Sequence, residues 1–145
     1  MTPSNPQLYG LILAGGFSKR MGADKALLNY HGKPQVDFAL GLLSKFCAKA
    51  MVSLRPDQST QKVYAHLPQL DDAPAFSNIG PLGGILSAME HAPDAAWLVL
   101  ACDLPCIDEQ AIACLIQNRD ANALATAFIS QNDHLPEPLC AIWEP

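Results

Sequence analysis

The stretch Leu8–Lys25, LYGLILAGGFSKRMGADK, joins an unbroken apolar run to a turn rich in glycine and positive charge. Its first part, Leu8–Ala14, has the length of a β-strand and shows no alternation of polar and apolar side chains. Such a run is typical of a strand buried on both faces, as in a parallel sheet. Gly15 and Gly16 interrupt the run, so the stretch predicts a buried first strand followed by a sharp turn.

Strand-like and helix-like segments alternate along the rest of the chain. Apolar residues recur at helical spacing in the segments 36–50, 82–91 and 108–118, the last beginning at the N-cap residue Asp108. Apolar segments of strand length lie at 51–54, 96–102, 123–129 and 139–143, with a weaker strand signal at 62–65. This alternation predicts an α/β fold with three layers and a mostly parallel, doubly wound (Rossmann-like) sheet.

Length and composition exclude several classes of protein. The chain has 145 residues, half of them hydrophobic, which predicts a single domain over residues 1–145 with a sizeable core. A net charge of −5 provides no basic field for nucleic acid or an anionic membrane. The apolar runs are shorter than the roughly 18 residues of a membrane span, and the polar N-terminus does not resemble a signal peptide. We therefore expect a cytoplasmic protein that binds neither nucleic acid nor membrane.

The cysteines do not form a recognisable metal or disulfide pattern. There are five of them, no pair has CxxC spacing, and the four histidines are scattered singly. This usage disfavours a zinc site and a disulfide framework. We expect reduced thiols that pack as small apolar groups, including Cys102 at the end of a predicted strand.

The turn after the first strand has the chemistry of a phosphate site. Three glycines allow backbone N–H groups to approach an anion, and three cations follow closely. The glycines are Gly15, Gly16 and Gly22, and the cations are Lys19, Arg20 and Lys25. The turn is not a P-loop, because no Gly-Lys-Ser/Thr closes it, and the GxGxxG of dinucleotide sites is absent. Lys25, Arg20 and a metal ion would suffice for transfer at phosphorus, which depends mainly on positioning and charge neutralisation.

Further polar groups follow the other strands, at the edge where open α/β sheets bind ligands. Asp103 follows segment 96–102. A lone carboxylate there suits Mg²⁺, which commonly takes one or two protein carboxylates plus substrate phosphates. The glycine-rich segment Gly80–Gly84 opens a helix and favours an anion or a closely packed ligand. Asp71 and Asp72 precede that segment and could contact a ribose or a metal.

These motifs together resemble one family. Segment 13–25 resembles the LAGGxSxRMGxDK signature of the molybdenum cofactor guanylyltransferases (the MobA type), within the nucleotide-sugar-transferase-like superfamily. Gly80–Gly84 is similar to the family's GPLxG, and Cys102–Pro105 is similar to its CDxP. Pro138 and Leu139, followed by an apolar segment, resemble its late PL strand. The motifs occur in the family's order, so the resemblance extends over most of the chain.

The resemblance implies a reaction and its participants. The family transfers GMP from GTP to the terminal phosphate of molybdopterin and releases pyrophosphate, so GTP, molybdopterin and Mg²⁺ are the expected partners. The implied catalytic residues are Lys25, Arg20 and Asp103, and Asp103 is the implied metal ligand. The implied nucleotide contacts are Leu13, Ala14, Gly15, Gly16, Lys25, Ser53, Asp72, Gly80, Pro81, Leu82 and Asp103. Spacing favours Asp72 over Asp71 without deciding between them.

The chain departs from the family pattern in three places. Ser53 stands where the family often has asparagine, and His134–Glu137 stands where members vary. Family members are usually longer by several tens of residues. We therefore expect a C-terminally short fold whose last strand is an uncovered edge that drives self-association. The alternatives are a related transferase that uses CTP or a sugar phosphate, and an inactive, truncated nucleotide-binding module.

Overall fold

Short strands and helices alternate along most of the chain, and the spatial order of the strands differs from their order in the sequence. A computed structural model describes residues 4–16 and 24–145. The strands are β1 (Leu8–Leu13), β2 (Lys49–Leu54), β3 (Gln69–Asp71), β4 (Ala96–Ala101), β5 (Ala125–Ile129) and β6 (Pro136–Trp143). The helices are α1 (Gln35–Ser44), α2 (Pro56–Ser59), α3 (Pro81–His91) and α4 (Glu109–Gln117), with single 3₁₀ turns at Lys25–Leu27, Lys62–Tyr64 and Pro74–Phe76.

The described strands form one six-stranded sheet in the order β3-β2-β1-β4-β6-β5. β1 pairs in parallel with β2 and with β4, and β2 pairs in parallel with β3. β6 runs antiparallel to both β4 and β5. The predicted α/β fold with a mostly parallel, doubly wound sheet is confirmed.

Helices cover both faces of the sheet, and the alternation of side chains along β4 shows how. All six residues of this central strand are buried. Leu98 and Leu100 belong to the apolar cluster that contains the buried residues of α1 and α4. Trp97 and Val99 point the other way and belong to the cluster that contains Ile85 of α3. Because both faces of β4 are covered, its sequence lacks polar residues, as expected for such a strand. No helix within residues 4–16 or 24–145 has the length and hydropathy needed to span a membrane.

The predicted helix over 36–50 is too long. α1 ends at Ser44, and the backbone N–H of Ala48 already donates a 3.0 Å hydrogen bond to the carbonyl of Leu8 in the sheet. Ala50 then lies opposite Gly10 in the parallel ladder. Apolar residues at 46, 47 and 50 fit the helical period by coincidence, whereas sheet pairing determines where the strand begins.

The weak strand signal at 62–65 is also wrong. Residues Lys62–Tyr64 form a single 3₁₀ turn in which the Tyr64 side chain is fully buried. The strand on this side of the sheet is Gln69–Asp71 instead. Its three residues are too few to show a periodic pattern, so the sequence contains little evidence for it.

The last strand is not an uncovered edge. β6 lies between β4 and β5, and its residues Ala141–Trp143 pair on both sides. The edges of the sheet are β3 and β5. The expectation that an uncovered final strand drives self-association is therefore wrong in its physical reason, and self-association itself stays a prediction.

Candidate active site

The carboxyl ends of the parallel strands enclose a cavity of about 650 Å³. Its walls come from the ends of β1, β2 and β4 and from the start of α3, and the volume is within the range of ligand sites in enzymes. Of the residues that the sequence assigned to the site, the lining contains Leu13, Ala14, Gly15, Gly16, Lys25, Ser53, Asp72, Gly80, Pro81 and Asp103. Segments far apart in the sequence therefore meet at one edge of the sheet, as the strand rule predicts.

Among the expected site residues that the structure describes, Leu82 is not one of those lining the cavity. The Leu82 side chain is 50% exposed and lies outside the lining, although its neighbours Gly80 and Pro81 contribute to it. Arg20 lies outside the described residues, as do Lys19 and Gly22. Of the two candidate aspartates near α3, Asp72 lines the cavity, whereas Asp71 is exposed at the end of β3 and does not.

Lys25 and Asp103 face each other across the cavity. Lys25 begins a 3₁₀ turn that is capped by Asp24, whose side chain accepts a 3.0 Å hydrogen bond from the N–H of Ala26. Asp103 follows shortly after β4, and its Oδ2 lies 4.0 Å from the Lys25 Nζ. The two side chains are 43% and 54% exposed, and an ion pair this exposed contributes little stability. Stability therefore does not explain why these charges meet here.

Ser53 and Asp72 form a second polar pair in the cavity wall. The Ser53 hydroxyl, at the buried end of β2, donates a 3.3 Å hydrogen bond to Asp72 Oδ1. Burial raises the pKa of Asp72, the hydrogen bond from Ser53 opposes this shift, and the charge of Asp71 adds to it. The raised pKa means that the ionised carboxylate is less favourable in the folded chain than in the unfolded one.

We expect Asp72→Asn to change the pH dependence of stability. The wild type should lose stability as pH rises from the ordinary aspartate pKa, near 3.8, through the raised folded pKa, because only the ionised form is penalised. The variant removes this penalty, so its melting temperature relative to wild type should increase between acid and neutral pH. Thermal denaturation across that range measures the difference. The exposed Asp94→Asn is the control, and an equal response of both variants would contradict burial as the cause of the raised pKa.

The glycines of segment 80–84 serve close packing as well as the cavity wall. Gly80 precedes α3 with φ 72° and ψ −151°, a backbone conformation that is essentially restricted to glycine. A Cβ on Gly83 would lie 2.4 Å from the carbonyl oxygen of Phe76. A Cβ on Gly84 would lie 2.7 Å from Ser53 Oγ and 2.9 Å from Leu13 Cδ2. The absence of a Cβ at these positions allows the start of α3 to lie directly against the ends of β1 and β2.

Gly83→Ala should be destabilising by about 1–3 kcal/mol, because the new methyl group meets backbone that cannot rotate away. Chemical denaturation measures this change in the free energy of unfolding. Gly41→Ala in α1 is the matched control, because a Cβ on Gly41 would meet no atom within 4 Å. That variant should be neutral or stabilising by up to about 1 kcal/mol. Similar losses in both variants would contradict the packing role of Gly83.

Sequence reasoning missed the role of two polar residues that follow β2. The Arg55 guanidinium donates hydrogen bonds to the carbonyls of Gly15 and Gly16, and Gln58 donates one to the carbonyl of Ala14. Both lie at the carboxyl edge of the sheet, and the strand rule that singled out Asp103 could have found them.

The described lining of the cavity carries more negative than positive charge. It contains four aspartates against one lysine and one arginine. The aspartates are Asp24, Asp57, Asp72 and Asp103. Each aspartate has a positive or donor partner. Asp57 pairs with Arg55, and Asp103 lies opposite Lys25. Asp24 accepts hydrogen bonds from Gln58 and Tyr64, and Asp72 accepts one from Ser53. Additional positive charge therefore favours binding of a polyanion such as a triphosphate at this wall.

The cysteine beside Asp103 is a packed side chain. Cys102 is buried, and burial followed by the charge of Asp103 raises the pKa of its thiol to about 12. It therefore stays protonated and unreactive near neutral pH. All five cysteines are free. Within the described ranges, no group of three or more His, Cys, Asp or Glu side chains could hold a metal ion.

Sequence comparisons relate the chain to known proteins. The sequence model of the MobA-like NTP transferase domain matches residues 10–145. The chain is 39% identical over 142 residues to the molybdenum cofactor biosynthesis bifunctional protein of Synechocystis, covering 98% of this chain and 40% of that protein. It is 33% identical over 118 residues to the molybdenum cofactor guanylyltransferase of Pseudomonas entomophila, covering 81% and 61% respectively. The chain thus spans roughly half the length of these curated relatives.

Solved structures share the fold. The molybdopterin-guanine dinucleotide biosynthesis protein A of Archaeoglobus fulgidus superposes with a TM-score of 0.72 at 24% identity, covering 94% of this chain and 67% of that one. Rv0371c of Mycobacterium tuberculosis, solved in complex with manganese, superposes with a TM-score of 0.52 at 18% identity, covering 77% and 58%. These likenesses agree with the α/β fold described above. The chain belongs to the family of MobA-like NTP transferase domains.

Proposed function

We propose that the chain is a GTP-dependent nucleotidyltransferase that moves GMP to the phosphate of molybdopterin and releases pyrophosphate. One observation carries the proposal. Gly15 and Gly16, which follow β1, line a single cavity together with Lys25 and Asp103, and Lys25 Nζ lies 4.0 Å from Asp103 Oδ2. The names of the relatives from Synechocystis and Pseudomonas support molybdenum cofactor chemistry.

A divalent metal fits the residues present. Asp103 offers a half-exposed carboxylate near the tip of β4, and substrate phosphates can supply other ligands. The excess of aspartates in the described lining also favours a bound cation together with a triphosphate. The manganese in the structure of Rv0371c supports the binding of a divalent ion by a protein with this fold. We propose Mg²⁺ with Asp103 as its protein ligand.

The proposed reaction is an in-line displacement at the α-phosphorus of GTP. An oxygen of the molybdopterin phosphate forms the new bond, and the bond to the bridging oxygen breaks, so that pyrophosphate leaves with the bonding electron pair. When bound, the metal ion supplies positive charge against the phosphate oxygens. Lys25 and Arg20 add positive charge, and the peptide N–H groups of Gly15 and Gly16 orient the phosphates. Ser53, Asp72, Gly80 and Pro81 bound the remainder of the nucleotide site.

Calorimetry with Mg²⁺ and each nucleoside triphosphate tests the nucleotide. We expect GTP to bind at least tenfold more tightly than CTP or ATP. A preference for CTP would reject the guanine assignment and favour the related cytidylyl transferases.

Turnover is a separate test. Incubation with GTP, Mg²⁺ and molybdopterin should release one pyrophosphate for each GMP transferred. Binding of GTP without pyrophosphate release would instead favour an inactive nucleotide-binding module. The single domain over residues 1–145, the cytoplasmic location and the contacts to the acceptor stay predictions.

A further inference from the structure

The backbone that follows β1 is held by side chains rather than by the sheet. The parallel ladder around β1 ends with two hydrogen bonds, each 3.1 Å, from the Ala14 N–H to the Ser53 carbonyl and from the Cys102 N–H to the Leu13 carbonyl. Beyond this point the carbonyls of Ala14, Gly15 and Gly16 need other partners. All three accept hydrogen bonds from the residues just after β2.

Arg55 binds two of these carbonyls. Its Nη1 donates to Gly15 O at 3.0 Å and to Gly16 O at 2.8 Å. Its Nε and Nη2 meet the two carboxylate oxygens of Asp57 at 3.0 and 3.1 Å, which fixes the plane of the guanidinium. A lysine has no such planar fork and cannot make both sets of contacts.

Gln58 connects Ala14 to Asp24, two residues on opposite sides of segment 17–23 in the sequence. Its side chain is fully buried, and its Nε2 donates to Ala14 O at 3.0 Å and to Asp24 Oδ2 at 2.6 Å. Its Oε1 accepts a 2.9 Å hydrogen bond from the backbone N–H of Arg55. The Tyr64 hydroxyl donates to the same oxygen of Asp24. One buried amide group therefore ties the end of β1 to the residue that precedes Lys25.

The rigidity of the peptide bond connects these contacts to ligand binding. The carbonyl of one residue and the N–H of the next lie in one plane and point in opposite directions. Fixing the carbonyl of Ala14 therefore fixes the direction of the Gly15 N–H, and fixing the carbonyl of Gly15 fixes that of the Gly16 N–H. Donors fixed before the ligand arrives need no reorganisation when it binds.

We propose that Arg55 and Gln58, together called the loop clamp, are positioning residues that orient the N–H groups of Gly15 and Gly16 toward a phosphate group. They act through the backbone of Ala14, Gly15 and Gly16. The orientation of these N–H groups toward a phosphate rests on the proposed function, whereas the fixation of the backbone by Arg55 and Gln58 does not. The clamp also maintains the position of Asp24, whose capping bond places Lys25 opposite Asp103.

Two variants weaken the loop clamp by different routes. Gln58→Met keeps the side-chain volume and removes the hydrogen bonds to both ends of the segment. Arg55→Lys keeps the positive charge but removes the planar set of N–H donors that the guanidinium provides. Two matched controls remove similar bonds elsewhere. Asn118→Leu loses a 2.8 Å bond to the Cys114 carbonyl, and Arg119→Lys loses the planar guanidinium that binds Glu144 and the Pro6 carbonyl.

The first readout is amide hydrogen exchange by NMR in the protein without nucleotide. Ala14 and Ala26 report on the two sides of the segment, because both are buried and both amides are hydrogen-bonded. We expect at least tenfold faster exchange at Ala14 and Ala26 in Gln58→Met, and at Ala14 in Arg55→Lys. Exchange at Ile85 in α3 should stay unchanged. In the controls, exchange at Ala14 and Ala26 should change no more than exchange at Ile85 does. Unchanged exchange in both clamp variants would overturn the proposal.

The second readout separates positioning from a general structural loss. With Mg²⁺ present, the Kd of GTP should rise at least tenfold in both clamp variants, while the Kd of guanosine stays within twofold of wild type. Equal weakening of GTP and guanosine would overturn the assigned role toward phosphate. A wild type that binds neither ligand would overturn the proposed function and the phosphate role together. The hydrogen-exchange result alone would then test whether Arg55 and Gln58 hold the backbone in place.

Discussion

Asp103→Asn should reduce pyrophosphate release by about 10³-fold or more, because it removes the carboxylate that we assign to the metal. The substitution keeps the shape of a side chain that is 54% exposed, so the melting temperature should stay close to that of wild type. Single-turnover measurements of pyrophosphate release at saturating GTP and Mg²⁺ provide the comparison. The loss should appear in the rate of the chemical step.

Two controls make this result specific. Asp94→Asn removes an exposed carboxylate on the connection between α3 and β4 and should have wild-type activity. Raising the Mg²⁺ concentration should recover little of the activity of Asp103→Asn, because neutral asparagine is a poor ligand for this ion. Wild-type, magnesium-dependent turnover by Asp103→Asn would remove Asp103 from the mechanism.

Arg119→Met should be destabilising by about 3–5 kcal/mol, because it leaves the carboxylate of Glu144 buried without a counter-charge. Arg119 donates hydrogen bonds of 2.7 and 2.8 Å to the two oxygens of Glu144, and the two side chains are only 10% and 3% exposed. Its Nη2 also donates to the carbonyl of Pro6 at 3.0 Å, so the pair links three separate parts of the chain. The hydrogen bonds to Glu144 raise the pKa of Arg119, which therefore remains charged at every pH of interest.

Urea denaturation and thermal melting measure this loss, which corresponds to roughly 10 °C or more in a domain of this size. The double variant Arg119→Met, Glu144→Leu should recover most of it, since replacing both partners removes the unpaired charge. Lys45→Met is the control, because Lys45 and Glu109 form an ion pair in which both side chains are more than half exposed. That variant should change stability little. Equal effects of Arg119→Met and Lys45→Met would show that burial of the pair is unimportant.

Apolar pattern predicted the strands and helices that are long or fully buried. The continuous run of β4 identified a strand covered on both faces, and Asp108 was correctly predicted as the N-cap of α4, accepting a hydrogen bond from the Ala111 N–H. The edge strand β3 was missed because its three residues contain only one buried side chain, Leu70. The position of β6 inside the sheet depends on pairing between distant segments, which local pattern does not record.

The sequence predicted those site residues that can be recognised by their residue type and their position after a strand. Lys25 and Asp103 were singled out in this way, and the structure brings them to one cavity. Arg55 and Gln58 were not, because their contacts are to backbone carbonyls of another segment. Their position after β2 places them at this edge of the sheet, but which backbone carbonyls they contact depends on the geometry of both segments. The packing role of Gly83 and Gly84 was hidden for the same reason, since it depends on the approach of Phe76 and Leu13.

The strand order also bears on how the chain matures during translation. β4 obtains its second neighbour only from Pro136–Trp143, so a nascent polypeptide released as far as residue 135 exposes the edge of its most apolar strand. Unpaired apolar edges of this kind recruit chaperones or neighbouring chains. Emergence of β6 from the ribosome is thus the step at which this edge of β4 can become paired.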